Sequence, residues 1–467
     1  MRRAVAGALA LSLLLAGCSA SGPDDYAAGE SRPVDDPVYP AYGHSNIDVL
    51  HYGLSIDYDP HSHVLKGKAR LTIRPTRDAN RLTLDFAKSM RVSALTVDGD
   101  KTAFSQAKWH LTVDRRLRTD RRVTVDVTYS GTPKQVPGPS EGMDSPPGLG
   151  ITTDGERGRL WTFQEPYGAL TWYPVNDHPS DEALYDIDVT VPHGYSGVAS
   201  GKFKGREKNT FRWSSGKDPV ASYLTTLAVD RFERIDMTGP HRLPITAWLA
   251  PGNADWRPAL KRMPEMLSWL EKHYGRYPFD SAGLVIVGGA NAMESQQMVT
   301  LSGDLDSGSS GEALIVHELS HQWFGDSATP RDWRDLWLNE GPATYTEQMW
   351  KVDHHVRDLS DILDYWNGHD QKLRDDYGPP GDYYSDYYSD YFADNNVYVC
   401  TALMLYHLRT KLGGREALDN LLSDWVSQHA NKSVTRRQFV AFVNRETGTD
   451  LTDFFDSWLD SDTTPRS

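Results

Sequence analysis

The stretch of this 467-residue chain best equipped for chemistry is His317-Glu318-Leu319-Ser320-His321. On a helix, residues four apart share one face, so both imidazoles can reach one metal ion. Glu318 lies between them and points close to the same place without being needed as a ligand. Ala313, Leu314 and Val316 lead into the pair, and Gly325 stands where such a helix can end. A catalytic zinc takes three protein ligands and keeps a fourth position open for water. Nineteen residues beyond His321, the run Leu336-Trp337-Leu338-Asn339-Glu340-Gly341 offers the third in Glu340, at the start of a second helix. The expected centre is one Zn2+ per chain on His317, His321 and Glu340, with Glu318 as general base.

Two helices hold such a centre only if larger elements fix them. From His51 to about Glu233 short alternating or apolar runs are split by turn residues, among them Val64 to Ile73, Leu82 to Phe86, Val123 to Tyr129 and Tyr185 to Val191. That spacing predicts a β domain of two packed sheets over 46–235. After Asp236 the period changes. Leu260, Met263, Met266, Leu267 and Leu270 recur at helical spacing, a short apolar strand spans Leu284 to Val287, and the remainder reads as mostly helical, a second domain over 236–467. The formal charge of −15 is spread along the chain and argues against a nucleic-acid partner. A duplicated Asp-Tyr-Tyr-Ser motif at 382–389, closed by Asp390-Tyr391, reads as a polar-aromatic loop without chemistry of its own.

The block from His317 through Gln322-Trp323-Phe324-Gly325, then Trp333, then Leu336 to Gly341, resembles the zinc-site block of the aminopeptidase N family of gluzincin metallopeptidases. Further matches follow in order, including Leu84-Asp85-Phe86, Trp172-Tyr173-Pro174, Ser222-Tyr223-Leu224 and Phe454 to Leu459. The resemblance implies an α+β multidomain fold, an N-terminal β-sandwich or saddle followed by a thermolysin-like, mainly helical catalytic domain. It implies peptide substrates with a free N-terminal amine, hydrolysed at the first peptide bond. The family's amine-binding Glu in a Gly-Ala-Met-Glu-Asn segment corresponds to Glu294 in Ala290-Asn291-Ala292-Met293-Glu294-Ser295, where Asn291 and Ser295 replace the usual Gly and Asn. A second amine-binding acid corresponds to Glu165 in Phe163-Gln164-Glu165-Pro166, with Gln164 able to share the task. The family's oxyanion-stabilising Tyr corresponds to Tyr398, followed by Cys400 and Thr401 in place of Lys and Gly. The resemblance leads to the expectation that the helical C-terminal domain of longer relatives is absent and the cleft correspondingly more open.

At the N-terminus Arg2 and Arg3 precede an apolar run from Ala4 to Ala16, too short for a spanning helix and closed by Leu15-Ala16-Gly17-Cys18. The run reads as an export signal over 1–18. Its end resembles the lipobox of bacterial lipoproteins, which implies lipidation at Cys18 and attachment to the membrane of the cell envelope. The other cysteine, Cys400, then has no thiol to pair with. Residues 19–45, rich in Ser, Gly, Pro and Asp, read as a flexible tether. Two alternatives to a zinc aminopeptidase stay open at this point: a zinc endopeptidase or other zinc hydrolase on the same scaffold, and a lipoprotein that binds peptides without cutting them.

Overall fold

The computed structural model describes residues 26–139, 148–155, 157–289, 291–381 and 392–465. The first domain is built on a long hairpin, Ile47–Asp59 against Val64–Pro75, whose burial alternates along Val64–Pro75 as a sheet with one buried face requires. Ile47–Asp59 also pairs in parallel with Glu182–Thr190, and Val64–Pro75 pairs with Val123–Gly131, within a nine-stranded sheet. A five-stranded sheet contains Gly148–Asp154, Arg159–Phe163, Ser196–Ala199 and Leu227–Asp230, and a three-stranded sheet holds Leu82–Asp85, Phe104–Gln106 and His110–Val113. The expected pair of sheets is therefore a set of three. Of the third sheet only the run at Leu82 was legible in sequence, because Phe104–Gln106 and His110–Val113 are just three and four residues long.

A second five-stranded sheet opens the second domain, in the order Glu233–Thr238, Pro244–Leu249, Ala282–Val287, Val299–Ser302, Ala292–Met293. All of Glu233–Thr238 pairs with Pro244–Leu249, so residues 235 and 236 lie within one strand. Buried on both faces, Ala282–Val287 is apolar throughout. Helices follow at Ser309–Ser320, Trp337–Asp353, Leu359–Tyr377, Thr401–Lys411, Arg415–His429, Arg436–Thr447 and Thr452–Asp460.

The reading of 19–45 as a flexible tether is corrected over 26–45, which lies docked on both domains. Its backbone finds partners in side chains of the first domain: Ser31 N donates to Asp48, Val34 N to Ser180, Gly43 N to Asp85 and His44 N to Asn176. Buried Asp36 caps Val38 and Tyr39 and accepts from the backbone N of Trp333 at 3.1 Å, just ahead of the Trp337–Asp353 helix. Composition registers the lack of an amphipathic pattern but not these polar fastenings, which is why the segment looked free. The rest of that span, 19–25, lies outside the described residues, as do Cys18 and the repeat at 382–391.

Candidate metal centre and substrate cleft

His317 lies in the last turn of the Ser309–Ser320 helix, and His321 directly follows it in helical conformation. The helix ends sooner than expected; Gly325, four residues on, turns the chain at φ +121°. The two imidazoles are buried, 4.9 Å apart between ring centres. Their Nε2 atoms lie 3.3 and 3.5 Å from one oxygen of Glu340, Oε2. That oxygen is buried and accepts no hydrogen bond among the described residues. All three donor atoms lie within 4.8 Å of one another. Three lone-pair donors thus converge on a point rather than on each other, which fits the zinc expected from the sequence.

The outer nitrogens fix how the rings face. His321 Nδ1 lies 3.0 Å from the Phe324 carbonyl oxygen, to which it donates when it carries the proton. His317 Nδ1 faces Glu347 Oε2 at 3.6 Å, and Glu347 in turn pairs with Lys351 one turn further along. Such outer partners turn the Nε2 lone pairs inward and raise ligand basicity. Burial works against charge on these groups, and their neighbours decide the outcome. It would push His321 down, but Glu340 outweighs it and holds the imidazole at about 9. It would raise Glu340, but His321 and His317 hold the carboxyl at about 2. Burial prevails at Glu318, pushed up to about 8 against the opposing pull of His317 and His321.

The Trp337–Asp353 helix carries Glu340 in its first turn and Glu347 two turns on, along the same face. Asp332 accepts from Arg334 N ahead of it. Gly341 is required by close approach: a Cβ there would meet Thr401 Oγ1 at 2.6 Å. The Thr that stands in the family's glycine position is therefore accommodated by a glycine on the facing helix.

Glu294 follows the edge strand Ala292–Met293 and is buried, with Oε1 accepting no hydrogen bond among the described residues. Burial pushes its carboxyl up to about 7. Its segment is pinned to the histidine helix by Gln322, whose Nε2 donates to the Glu294 carbonyl oxygen at 2.9 Å while its Oε1 accepts from Gln297 N and Tyr277 OH. Both altered residues are anchored to the neighbouring strand, Asn291 N on Ser302 Oγ and Ser295 Oγ on Thr300 Oγ1. Glu165 arrives from the first domain, and carboxylate oxygens of Glu165, Glu294 and Glu340 lie within 4.8 Å of one another. Gln164 lines the same cleft, but its amide is engaged elsewhere: Nε2 donates to Ser222 O and Thr225 O, and Oε1 accepts from Trp172 Nε1. Its position supports the Glu165 loop. Tyr398, in a π-helical turn at Asn396–Cys400, stacks on His317 with ring centres 6.2 Å apart.

His317, Glu318, His321, Glu340, Glu347, Glu294, Glu165, Gln164 and Tyr398 line one cleft of about 250 Å³, together with Leu314, Arg357, Tyr365 and Trp366. Sequence reasoning missed Glu347 and Gln322. Their signals were present: Glu347 follows Glu340 by seven residues on one helix, and Gln322 directly follows His321.

Comparison with known proteins places this geometry. Residues 259–458 match the model of the peptidase family M1 domain. Glutamyl aminopeptidase of Sus scrofa is 27% identical over 252 residues, 49% of this chain and 26% of that protein, so the match spans about a quarter of the relative's length. The M1 zinc metallopeptidase of Deinococcus radiodurans superposes with a TM-score of 0.78 at 26% identity, covering 93% of this chain and 99% of that one. A mutant of it has been solved bound to a Tyr-Ser-Ala substrate. Yeast LTA4 hydrolase, at 19% identity and a TM-score of 0.75 over 94% of this chain and 71% of its own, shares the fold.

Glu347 is the residue this geometry adds as a positioning group. Glu347→Ala should weaken zinc affinity about 10- to 100-fold, read by competition against a chelator of known affinity. Unchanged affinity would show that His317 is oriented without it.

Proposed function

We propose that this chain, which belongs to peptidase family M1, is a zinc-dependent aminopeptidase that removes the first residue from peptides with a free N-terminus. The observation that carries this reading is the trio Glu165, Glu294 and Glu340, three carboxylates within 4.8 Å. Negative groups so close in a buried cleft call for cations between them. Glu340 is turned to the histidines, which leaves Glu294 and Glu165 to receive a substrate ammonium by charge-assisted hydrogen bonds.

His317, His321 and Glu340 would hold the zinc, which when bound would supply Lewis acidity toward a water and the scissile carbonyl. Glu318 accepts the water's proton on its carboxylate and later delivers it to the departing amine nitrogen. A positive ion beside Glu318 favours its charged form and so offsets the effect of burial. Glu294 and Glu165 hold the substrate's ammonium a fixed distance from the ligand triad, so the first peptide bond is the one presented to Glu318. Tyr398, lying over His317, donates its hydroxyl to the oxygen that gains negative charge in the transition state.

The chain is further proposed to be exported and lipid-anchored at Cys18, in the bacterial cell envelope. The Leu15-Ala16-Gly17-Cys18 motif supports this, and among the described residues no helix is long and apolar enough to cross a membrane.

Aminoacyl-arylamides should be cleaved and their N-acetylated counterparts spared, with a chelator abolishing turnover. Glu294→Ala should lower kcat/KM on the free-amine substrate about 10- to 100-fold with zinc content retained. Cleavage of blocked or internal bonds would make the protein an endopeptidase; no cleavage at all would make it a binder. For the chemical step, Glu318→Gln should keep zinc and lose turnover. Tyr398→Phe should lower kcat about 100- to 1000-fold with KM little changed. A Tyr398→Phe enzyme with parental kcat would reduce that ring to packing. For the anchor, Cys18→Ser should move the protein from the membrane to the soluble fraction on cell fractionation, and a variant still in the membrane fraction would refute lipidation at that residue.

A further inference from the structure

We propose that His44, Asp85 and His110 form a second divalent-metal site on the first domain, distinct from the catalytic centre. None of the three lines the cleft. Asp85 and His110 are direct partners on the antiparallel strands Leu82–Asp85 and His110–Val113, so their side chains share one face of the sheet. His44 comes from the docked N-terminal segment and is brought over them because Gly43 N donates to Asp85.

The two oxygens of Asp85 are used differently. Oδ2 accepts from the backbone N atoms of Gly43 and Asp177, both at 2.9 Å, which fixes the carboxylate. Oδ1 is fully buried and accepts no hydrogen bond among the described residues, yet it faces His110 Nε2 at 3.6 Å and His44 Nε2 at 3.8 Å. His44 Nε2 is likewise buried without a partner there. These separations are too long for hydrogen bonds. They approach what a shared ion requires, since tetrahedral ligands about 2.0–2.1 Å from zinc lie roughly 3.3–3.4 Å apart. The catalytic triad shows the same signature, a carboxylate oxygen 3.3 and 3.5 Å from two Nε2 atoms.

One competing contact exists: His110 Nε2 lies 3.1 Å from the Ala41 carbonyl oxygen. Metal ligation requires that nitrogen's lone pair, so the Nδ1–H tautomer is the one that binds, and the Ala41 oxygen becomes an additional donor beside the ion. With side-chain exposures of 25% for His44 and 33% for His110, the site is open to ion entry and to a completing water. Two imidazoles and a carboxylate suit zinc and its late first-row neighbours rather than magnesium or calcium. Two donors belong to the N-terminal segment and two to the three-stranded sheet, so the ion ties the segment to the first domain. The same segment reaches Trp333 N through Asp36.

The test is zinc content per chain, measured by elemental analysis after equilibration in zinc buffered by a weak chelator. The full chain should hold two ions, the His317→Ala/Glu340→Ala variant one, the His110→Ala variant one, and the triple variant none. Added zinc should raise the thermal midpoint of the His317→Ala/Glu340→Ala protein, and His44→Gln in that background should abolish the rise. His110→Ala should keep its circular dichroism and an arylamidase rate close to the parent's, which separates this site from the catalytic one. A His317→Ala/Glu340→Ala chain that holds no zinc, or a His110→Ala chain that holds as much as its parent, would overturn the proposal.

Discussion

The candidate metal centre is arranged around a single buried carboxylate oxygen, Glu340 Oε2, lying between two imidazole nitrogens. Moving such a charge out of water is costly, and attraction offsets the cost only when the geometry is good and the remaining polar atoms are satisfied. The surroundings meet that demand in layers. His321 Nδ1 meets the Phe324 carbonyl, His317 Nδ1 meets Glu347, and Glu347 meets Lys351. Losing Glu340 would leave the two Nε2 atoms without the carboxylate oxygen they converge on.

The same interior holds more acid than these partners balance. Glu165, Glu294, Glu318, Glu340 and Glu347 all line one cleft. Burial raises Glu294 and Glu318 toward neutrality, to about 7 and about 8, while Glu340 and Glu347 are held at about 2 by the histidines and Lys351. An excess of buried carboxylates favours positive charge beside them, at two places in this cavity. One is the convergence of imidazoles and carboxylate; the other is the pair of acids beside it.

The two places are held at a fixed distance by contacts within the second domain and across to the first. Gln322 ties the Glu294 segment to the histidine helix, and Gln296 N donates to Leu224 O in the first domain. Tyr223, also from the first domain, reaches the Gly325 carbonyl and accepts from Asn339 on the glutamate helix. Buried Trp172 holds the Gln164 side chain next to Glu165. The first domain is therefore part of the site, supplying one acid and bracing the loops that carry the others.

The histidine pair was legible in sequence because its information is local, whereas Glu340 was singled out by its distance from that pair and by the family resemblance. Residues four apart on one helix share one face whatever the surroundings, and the run around Glu340 predicts its own helix. The alternation of Val64–Pro75 and the apolar run of Ala282–Val287 were legible for the same reason. What tertiary structure alone decided is every relation between distant segments. Residues 26–45 carry no periodic apolar pattern, yet they dock because Asp48, Ser180, Asp85 and Asn176 await their backbone. Gln164 and Glu165 are neighbours in sequence, but folding commits the amide of one to Trp172 and brings the carboxylate of the other to the cleft. His44 and His110 are two isolated histidines until strand pairing and one backbone hydrogen bond gather them at Asp85. The periodicity of a single element is written in its own residues, whereas a site assembled across elements depends on long-range packing that no local pattern encodes.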